Sequence, residues 1–296
     1  MGYVSNDSER TFAIIGAAES GKSHYITVLI EEIKRQASRF GWSLRASDDE
    51  TMDLFHREFY KPLYENKTTL FKTQNGTPKR LVYYLRPLNA KVSVKLSFYD
   101  ISGETFTREA FMENETRYLR NARGIIFLVD PLQIPKIREL FLKEGNSLED
   151  LPKEATGVET IEQMFTRTIN FLKPESYASG KIEIPTAVVL TKIDALRFLL
   201  TDDAPVFLPS FCRGGVSVLD LRRVCEYFWR FVQAFDDCKT IASNARHFKR
   251  MAYFGVSALG QNPQKTQALQ FKPRPIRPLD PFLWLLWQNG LIDETE

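Results

Sequence analysis

One stretch of sequence decides the fold: Gly16-Ala17-Ala18-Glu19-Ser20-Gly21-Lys22-Ser23, which matches the P-loop pattern G-x-x-x-x-G-K-[ST]. Residues 11–15 before it indicate a short buried strand, and apolar residues recur at helical spacing after it, over residues 26–37. In a strand–turn–helix unit, backbone N–H groups and the positive end of the helix converge on one anion. The motif therefore predicts that Lys22 bridges two nucleotide phosphates and that the Ser23 hydroxyl binds Mg²⁺. The alternative is an ordinary strand–helix turn with a surface lysine.

Composition and charge are those of an ordinary globular protein, and the length allows a single α/β domain with insertions. The chain has 296 residues, of which 43% are hydrophobic and 26% are charged, and we expect one domain over residues 1–296. A net charge of +3 gives no reason to expect a nucleic-acid partner. Cys212, Cys225 and Cys238 lack metal-site spacing and are typical of reduced thiols in a cytoplasmic protein. No signal peptide is recognised, and the longest C-terminal apolar run is too short for stable membrane insertion.

A long insertion over residues 41–80 follows the first helix, where a nucleotide-dependent switch or a plain surface insertion would lie. Residues 47–50 predict the start of a helix within it. Its expected apolar face consists of Met52, Phe55, Phe59 and Leu63.

Alternating segments at residues 81–86 and 92–98 predict an antiparallel hairpin. Its second strand ends in Asp100-Ile101-Ser102-Gly103, a D-x-x-G motif. Asp100 can hold a Mg²⁺-bound water there, and the N–H of Gly103 can approach a γ-phosphate because no Cβ blocks it.

Two continuously apolar segments, residues 124–130 and 184–190, predict buried parallel strands. The second ends in Thr191-Lys192-Ile193-Asp194, which matches [NT]-K-x-D. The Asp194 carboxylate can accept hydrogen bonds from two donors of guanine, which adenine does not present in that register. The stem of Lys192 would lie across the purine. The alternative is a charged loop after a strand.

The C-terminal third contains a loop insertion at residues 195–215, a long amphipathic helix and a last strand at residues 251–256. That strand ends in Ser257-Ala258-Leu259, whose backbone N–H groups can contact the guanine O6. Residues 261–296 form a Pro-rich connection and a final apolar helix, whose tryptophans we expect to pack on the sheet.

Together these four motifs resemble the GTPase domain of the Ras-like and translation-factor superclass. The segment Lys72-Thr73-Gln74 and the ending Pro-Leu-Asp-Pro-Phe-Leu-Trp-Leu-Leu at residues 278–286 resemble the bacterial double-GTPase family, which is associated with conflict and defence gene clusters. One P-loop indicates a single-GTPase unit. The resemblance implies a six-stranded, mostly parallel sheet with one antiparallel strand and helices on both faces. It also implies GTP or GDP, Mg²⁺, switch segments, and a protein effector or activating protein.

The resemblance also implies that a threonine of the first switch completes the Mg²⁺ shell. We choose Thr73, with Thr77 second and Thr68 and Thr69 as further candidates. Glu104 stands where many relatives carry the glutamine that positions water, so we expect slow hydrolysis. Ala18 is a second departure, because some relatives carry glycine there.

The predicted site has three groups of residues. The catalytic group is Lys22, Gly103 and Glu104, and the metal group is Ser23, Thr73 and Asp100. The nucleotide-contacting group is Gly16, Glu19, Ser20, Gly21, Lys22, Ser23, His24, Thr191, Lys192, Asp194, Ser257, Ala258 and Leu259. Competing interpretations are a P-loop ATPase or kinase and a nucleotide-binding interaction module without turnover.

Overall fold

The computed structural model describes residues 11–17, 19–70, 79–87, 93–100, 119–147, 161–173, 180–208, 215–235, 239–264 and 266–295. The strands are β1 Thr11–Gly16, β2 Trp42–Ala46, β3 Lys79–Pro87, β4 Val94–Asp100, β5 Ala122–Val129, β6 Thr186–Leu190 and β7 Met251–Gly255. The helices are α1 Lys22–Phe40, α2 Asp49–Phe55, α3 Pro135–Lys143, α4 Ile161–Leu172, α5 Val218–Gln233, α6 Lys239–Asn244 and α7 Asp280–Gln288. A π-helix, His56–Glu65, continues α2.

A four-stranded parallel sheet in the order β1-β5-β6-β7 forms the centre of the fold. Its strands are almost entirely buried, as their continuous apolar sequences predicted. Because all four strands run in the same direction, the loops that follow them lie at one edge of the sheet. This α/β architecture confirms the fold class that the family resemblance implies, although the strands are divided between two sheets instead of forming one.

The remaining strands form an antiparallel sheet in the order β2-β3-β4. The β3–β4 pair is the predicted hairpin, and β4 packs alongside β1. The seven described strands exceed the expected six because β2 lies within the insertion at residues 41–80, where the sequence predicts no strand. Ser43 and Arg45 alternate with Trp42 and Leu44, which is the pattern of a half-exposed strand, and this strand pairs with β3.

The helix predicted after residues 47–50 is present and is capped by Asp48, whose carboxylate accepts a hydrogen bond from the Thr51 N–H at 2.7 Å. Its expected apolar face was wrong at one position. Met52 is 53% exposed because it lies on the outer side of the first turns, whereas Phe55, Phe59 and Leu63 are buried. The buried stripe therefore begins at Phe55.

Helix α7 packs against the parallel sheet, as predicted for the C-terminal apolar segment. The rings of Phe282 and Phe12 meet edge to face with centroids 5.8 Å apart. A Cβ on Gly124 would lie 2.8 Å from the Phe12 ring and 2.9 Å from Leu285, so this close packing requires glycine. Among the helices that the structure describes, none is long and apolar enough to cross a membrane.

Candidate functional site

The P-loop joins β1 to α1 through a tight turn. Gly21 caps the N-terminus of α1 with φ 84°, a left-handed conformation that favours glycine. Glu19 also has a positive φ, of 61°. Lys22 is buried, and its Nζ donates hydrogen bonds to the carbonyls of Gly16 at 2.7 Å and Ala17 at 3.1 Å. The ammonium group of Lys22 is therefore held against the turn, beside the N-terminus of α1.

Gly16 is required by the packing beneath the turn. A Cβ at this position would lie 2.6 Å from the Ser20 hydroxyl and 2.8 Å from the carbonyl of Leu128 on β5. Ser20 is fully buried, and its Oγ has no hydrogen-bond partner among the residues that the structure describes. Glycine at position 16 therefore allows the turn to pack directly against β5.

His24, the second residue after Lys22, connects α1 to a distant part of the chain. Its Nε2 accepts a hydrogen bond from the N–H of Leu70 at 3.1 Å. Burial, together with the positive charge of Lys192, lowers the pKa of His24 to about 4. The imidazole is therefore neutral at pH 7 and can act as an acceptor. The sequence carried no signal for this contact, because the two residues are 46 positions apart.

Lys192 is fixed at the end of β6 by an ion pair. Its backbone is left-handed, with φ 53°, and its Nζ lies 2.6 Å from Oδ2 of Asp130 at the end of β5. Asp130 is fully buried, and its Oδ1 accepts the N–H of Leu132 at 3.0 Å. The sequence analysis did not single out Asp130, whose one signal is a carboxylate at the end of a continuously apolar strand.

Asp194 and Ser257 hydrogen-bond to each other, which joins the loops after β6 and β7. Burial raises the pKa of the Asp194 carboxyl, and the hydrogen bond from Ser257 opposes that rise. Ser257 is itself buried, and its Oγ accepts the N–H of Gly260 at 2.8 Å. The carboxylate is thus held in place by the chain that follows the last strand.

The structure brings three of the four predicted motifs together. The P-loop and the two loops that contain Asp194 and Ser257 follow the carboxyl ends of parallel strands, and Lys192 is close enough to act on the pKa of His24. Ala258 and Leu259 follow Ser257 in the last of these loops, and Thr191 precedes Lys192 with its N–H bonded to Val129.

The fourth motif is only partly visible. Asp100 is the last residue of β4, which packs next to β1. Thr73, Thr77, Gly103, Glu104 and Ala18 lie outside the described residues. The threonines that are described bond elsewhere: Thr68 donates to the carbonyl of Pro62, and Thr69 contacts Gln267.

The residues at this edge fit an anionic ligand with a hard cation. Lys22 and the N-terminus of α1 supply positive charge, and Ser23 supplies a hydroxyl oxygen of the kind that Mg²⁺ prefers. Across the described ranges, no group of three or more His, Cys, Asp or Glu side chains could hold a metal by itself. Where a cation is bound here, phosphate oxygens of the ligand would hold it together with the Ser23 hydroxyl.

Comparison with curated proteins gives a bacterial relative. The chain is 25% identical over 213 residues to a protein from Mycolicibacterium smegmatis described as putative ESX-1 scaffolding and assembly protein SaeC. The match covers 70% of this chain and 52% of that protein, so the chain spans about half the length of this curated relative.

Solved structures with a similar fold include a small GTPase and a GTPase-like domain. The Arl6 BBS3 small GTPase from Trypanosoma brucei aligns with a TM-score of 0.40 and 12% identity, over 96% of this chain and 98% of that one. The GTP-bound Ski7 GTPase-like domain from S. cerevisiae aligns with a TM-score of 0.44 and 14% identity, over 97% and 51% respectively.

The family model described as Double-GTPase 1 matches residues 13–206, which include β1, the P-loop and the Thr191–Asp194 motif. This match covers more than half of the chain and includes two of the loops at the edge of the parallel sheet, the P-loop and the loop that contains Asp194. The chain belongs to the Double-GTPase 1 family of P-loop GTPases.

Proposed function

We propose that this chain binds GTP and GDP with Mg²⁺ at the carboxyl edge of its parallel sheet and acts as a slowly hydrolysing molecular switch. The observation that carries the proposal is the convergence of Lys22, Lys192 and Asp194 at that edge. Membership of a GTPase family supports the same ligand.

On the phosphate side, Lys22 is already directed at the turn by its bonds to Gly16 and Ala17. Its ammonium and the first N–H groups of α1 would bind the β- and γ-phosphates. Ser23, with Asp100 and Thr73, would hold Mg²⁺, which supplies charge neutralisation between the phosphates when bound. Gly103 would donate its backbone N–H to the γ-phosphate.

On the base side, Asp194 would accept the two adjacent donors of guanine. Ser257 fixes the carboxylate in position, so binding needs little reorganisation. The burial that raises the pKa of Asp194 makes an unpaired carboxylate there costly, which disfavours adenine. Asp130 fixes Lys192, whose stem would cover the purine.

We expect slow turnover because Glu104 replaces the usual glutamine and adds negative charge beside a transition state that is already anionic. An activating protein would then be needed for fast hydrolysis. A nucleotide-binding interaction module without turnover is the second candidate, and Glu104 is the residue that favours it. Single-turnover phosphate release with and without cell extract distinguishes the two, and the Glu104→Ala variant tests the role of the carboxylate.

The biological setting of the switch is also a proposal. A relative described as a putative scaffolding and assembly protein supports a role in which nucleotide state controls a protein effector in the bacterial cytoplasm. A role in conflict or defence systems is supported by the family resemblance alone.

Binding selectivity tests the proposed function. Wild-type protein should bind GDP and GTP in the presence of Mg²⁺ and should bind ADP and ATP at least about 100-fold more weakly. Lys22→Ala should weaken GTP binding by more than tenfold, whereas Lys249→Ala, which removes an exposed lysine, should leave it unchanged. Equal affinity for ATP would contradict the proposal and favour a P-loop ATPase or kinase.

A further inference from the structure

The Pro-rich connection, residues 261–279, which we call the strap, is bonded to the loop that fixes Asp194. Ser257 and Ile276 exchange backbone hydrogen bonds of 3.1 and 2.9 Å. The N–H of Arg274 donates to the carbonyl of Leu259 at 3.0 Å. The returning half of the strap is therefore fixed to the base side of the candidate site.

The outer turn of the strap is bonded to residues 67–70, which we call the anchor segment. The N–H of Thr69 donates to the carbonyl of Gln267 at 2.9 Å, and the N–H of Leu269 donates to the carbonyl of Lys67 at 2.8 Å. The hydroxyl of Thr69 also donates to the side-chain oxygen of Gln267. Lys67 and Gln267 both have a left-handed backbone, with φ 53° and 65°, and such conformations persist where surrounding bonds fix them.

The anchor segment is held on its other side by the P-loop helix. The N–H of Leu70, a residue that is only 8% exposed, donates to Nε2 of His24. A buried N–H without an acceptor is unfavourable, so loss of the imidazole would release this end of the segment. Hydrogen bonds thus link α1 to the anchor segment, the anchor segment to the strap, and the strap to Ser257.

We propose that His24 is a positioning residue which, through the anchor segment and the strap, couples the phosphate side of the site to its base side. The coupling rests on the proposed function, because it concerns retention of a guanine nucleotide. It predicts that His24 and Gln267, which bond to different residues of the anchor segment, act as one unit in nucleotide release. A histidine that only contacted the nucleotide would act independently of Gln267.

The dissociation rate of a fluorescent GDP in the presence of Mg²⁺ tests this coupling. His24→Leu and Gln267→Ala should each accelerate release about tenfold, since each removes one hydrogen bond from the same unit. In the double variant, the acceleration of GDP release should be smaller than the product of the two single accelerations. His24→Gln keeps a hydrogen-bond acceptor and should therefore release GDP at nearly the wild-type rate. His56→Leu is the matched control, because His56 is largely exposed and faces Glu65, which belongs to neither the anchor segment nor the strap.

Three results would overturn the proposal: unchanged release in His24→Leu, unchanged release in Gln267→Ala, or fully multiplicative effects in the double variant. Amide hydrogen exchange of the protein without nucleotide tests the hydrogen-bonded link itself. It therefore distinguishes failure of the coupling from failure of the proposed nucleotide binding. Protection at residues 68–70 should fall in His24→Leu and remain in His24→Gln, whether or not GDP binds. Unchanged protection in His24→Leu would refute the hydrogen bond to Leu70 as the basis of the coupling.

Discussion

Asp130→Asn is the substitution whose effect follows most directly from the geometry of the site. The asparagine keeps the oxygen that accepts the Leu132 N–H and removes the charge that faces Lys192 at 2.6 Å. Breaking a fully buried ion pair costs about 3–5 kcal/mol, whereas an exposed pair contributes about 0–1 kcal/mol. The Asp130 side chain is fully buried and that of Lys192 is 37% exposed, so we expect a loss of about 2 kcal/mol in the free energy of unfolding.

Urea denaturation measures this loss, and a double-mutant cycle with Lys192→Met isolates the pair. We expect a coupling energy of about 1–2 kcal/mol between the two positions, because they form one ion pair. The control is Glu183→Gln, since the Glu183–Lys249 pair has a similar separation of 3.0 Å but is exposed on both sides. That variant should change stability by less than about 0.5 kcal/mol. A coupling energy near zero for Asp130 and Lys192 would refute the reasoning.

Two further predictions concern the packing that supports the site. In Gly255→Ala the new Cβ would lie 2.0 Å from the Phe228 ring, so we expect the free energy of unfolding, measured by heat or urea, to fall by at least about 3 kcal/mol. Adding Phe228→Leu should restore part of this loss, because the smaller side chain leaves room for the Cβ. If the two substitutions destabilise the protein independently and additively, the prediction is wrong. Burial raises the pKa of Asp280, which pairs with Arg277, to about 6. The folded state therefore binds the proton of the Asp280 carboxyl more tightly than the unfolded state does. The free energy of unfolding should fall by about 3 kcal/mol as the pH rises from about 4 to about 6. Asp280→Asn should remove this part of the slope, and an unchanged slope would contradict the assignment.

Local patterns were sufficient to predict the parallel sheet and the position of its loops. Three segments are continuously apolar and are followed by loop residues, as is typical of buried strands: the strand before Gly16 and the segments that end at Asp130 and Thr191. Since carboxyl ends of parallel strands share an edge, the order of the motifs predicted their convergence. Strand β2 was missed because its alternation is short and its pairing with β3 depends on residues far along the chain.

Contacts between distant residues were not predictable in the same way. No local pattern indicates that Lys192 pairs with Asp130 or that His24 accepts a hydrogen bond from Leu70. The strap was predicted as a connection because its prolines exclude regular structure, and its bonds to Thr69 and Ser257 depend on tertiary folding. The roles of Thr73 and Glu104 stay predictions, since both residues lie outside the described part of the chain.

Nucleotide selectivity of Asp194→Asn tests the central claim most directly. Wild type should prefer GDP to XDP, and the variant should lose affinity for GDP by about 100-fold or more while gaining affinity for XDP, because the asparagine can donate to the oxygen that replaces the guanine amino group. Calorimetric titration of both proteins with both nucleotides in Mg²⁺ gives the four constants. If Asp194→Asn binds GDP as wild type does, Asp194 does not read the base and the proposed site is wrong.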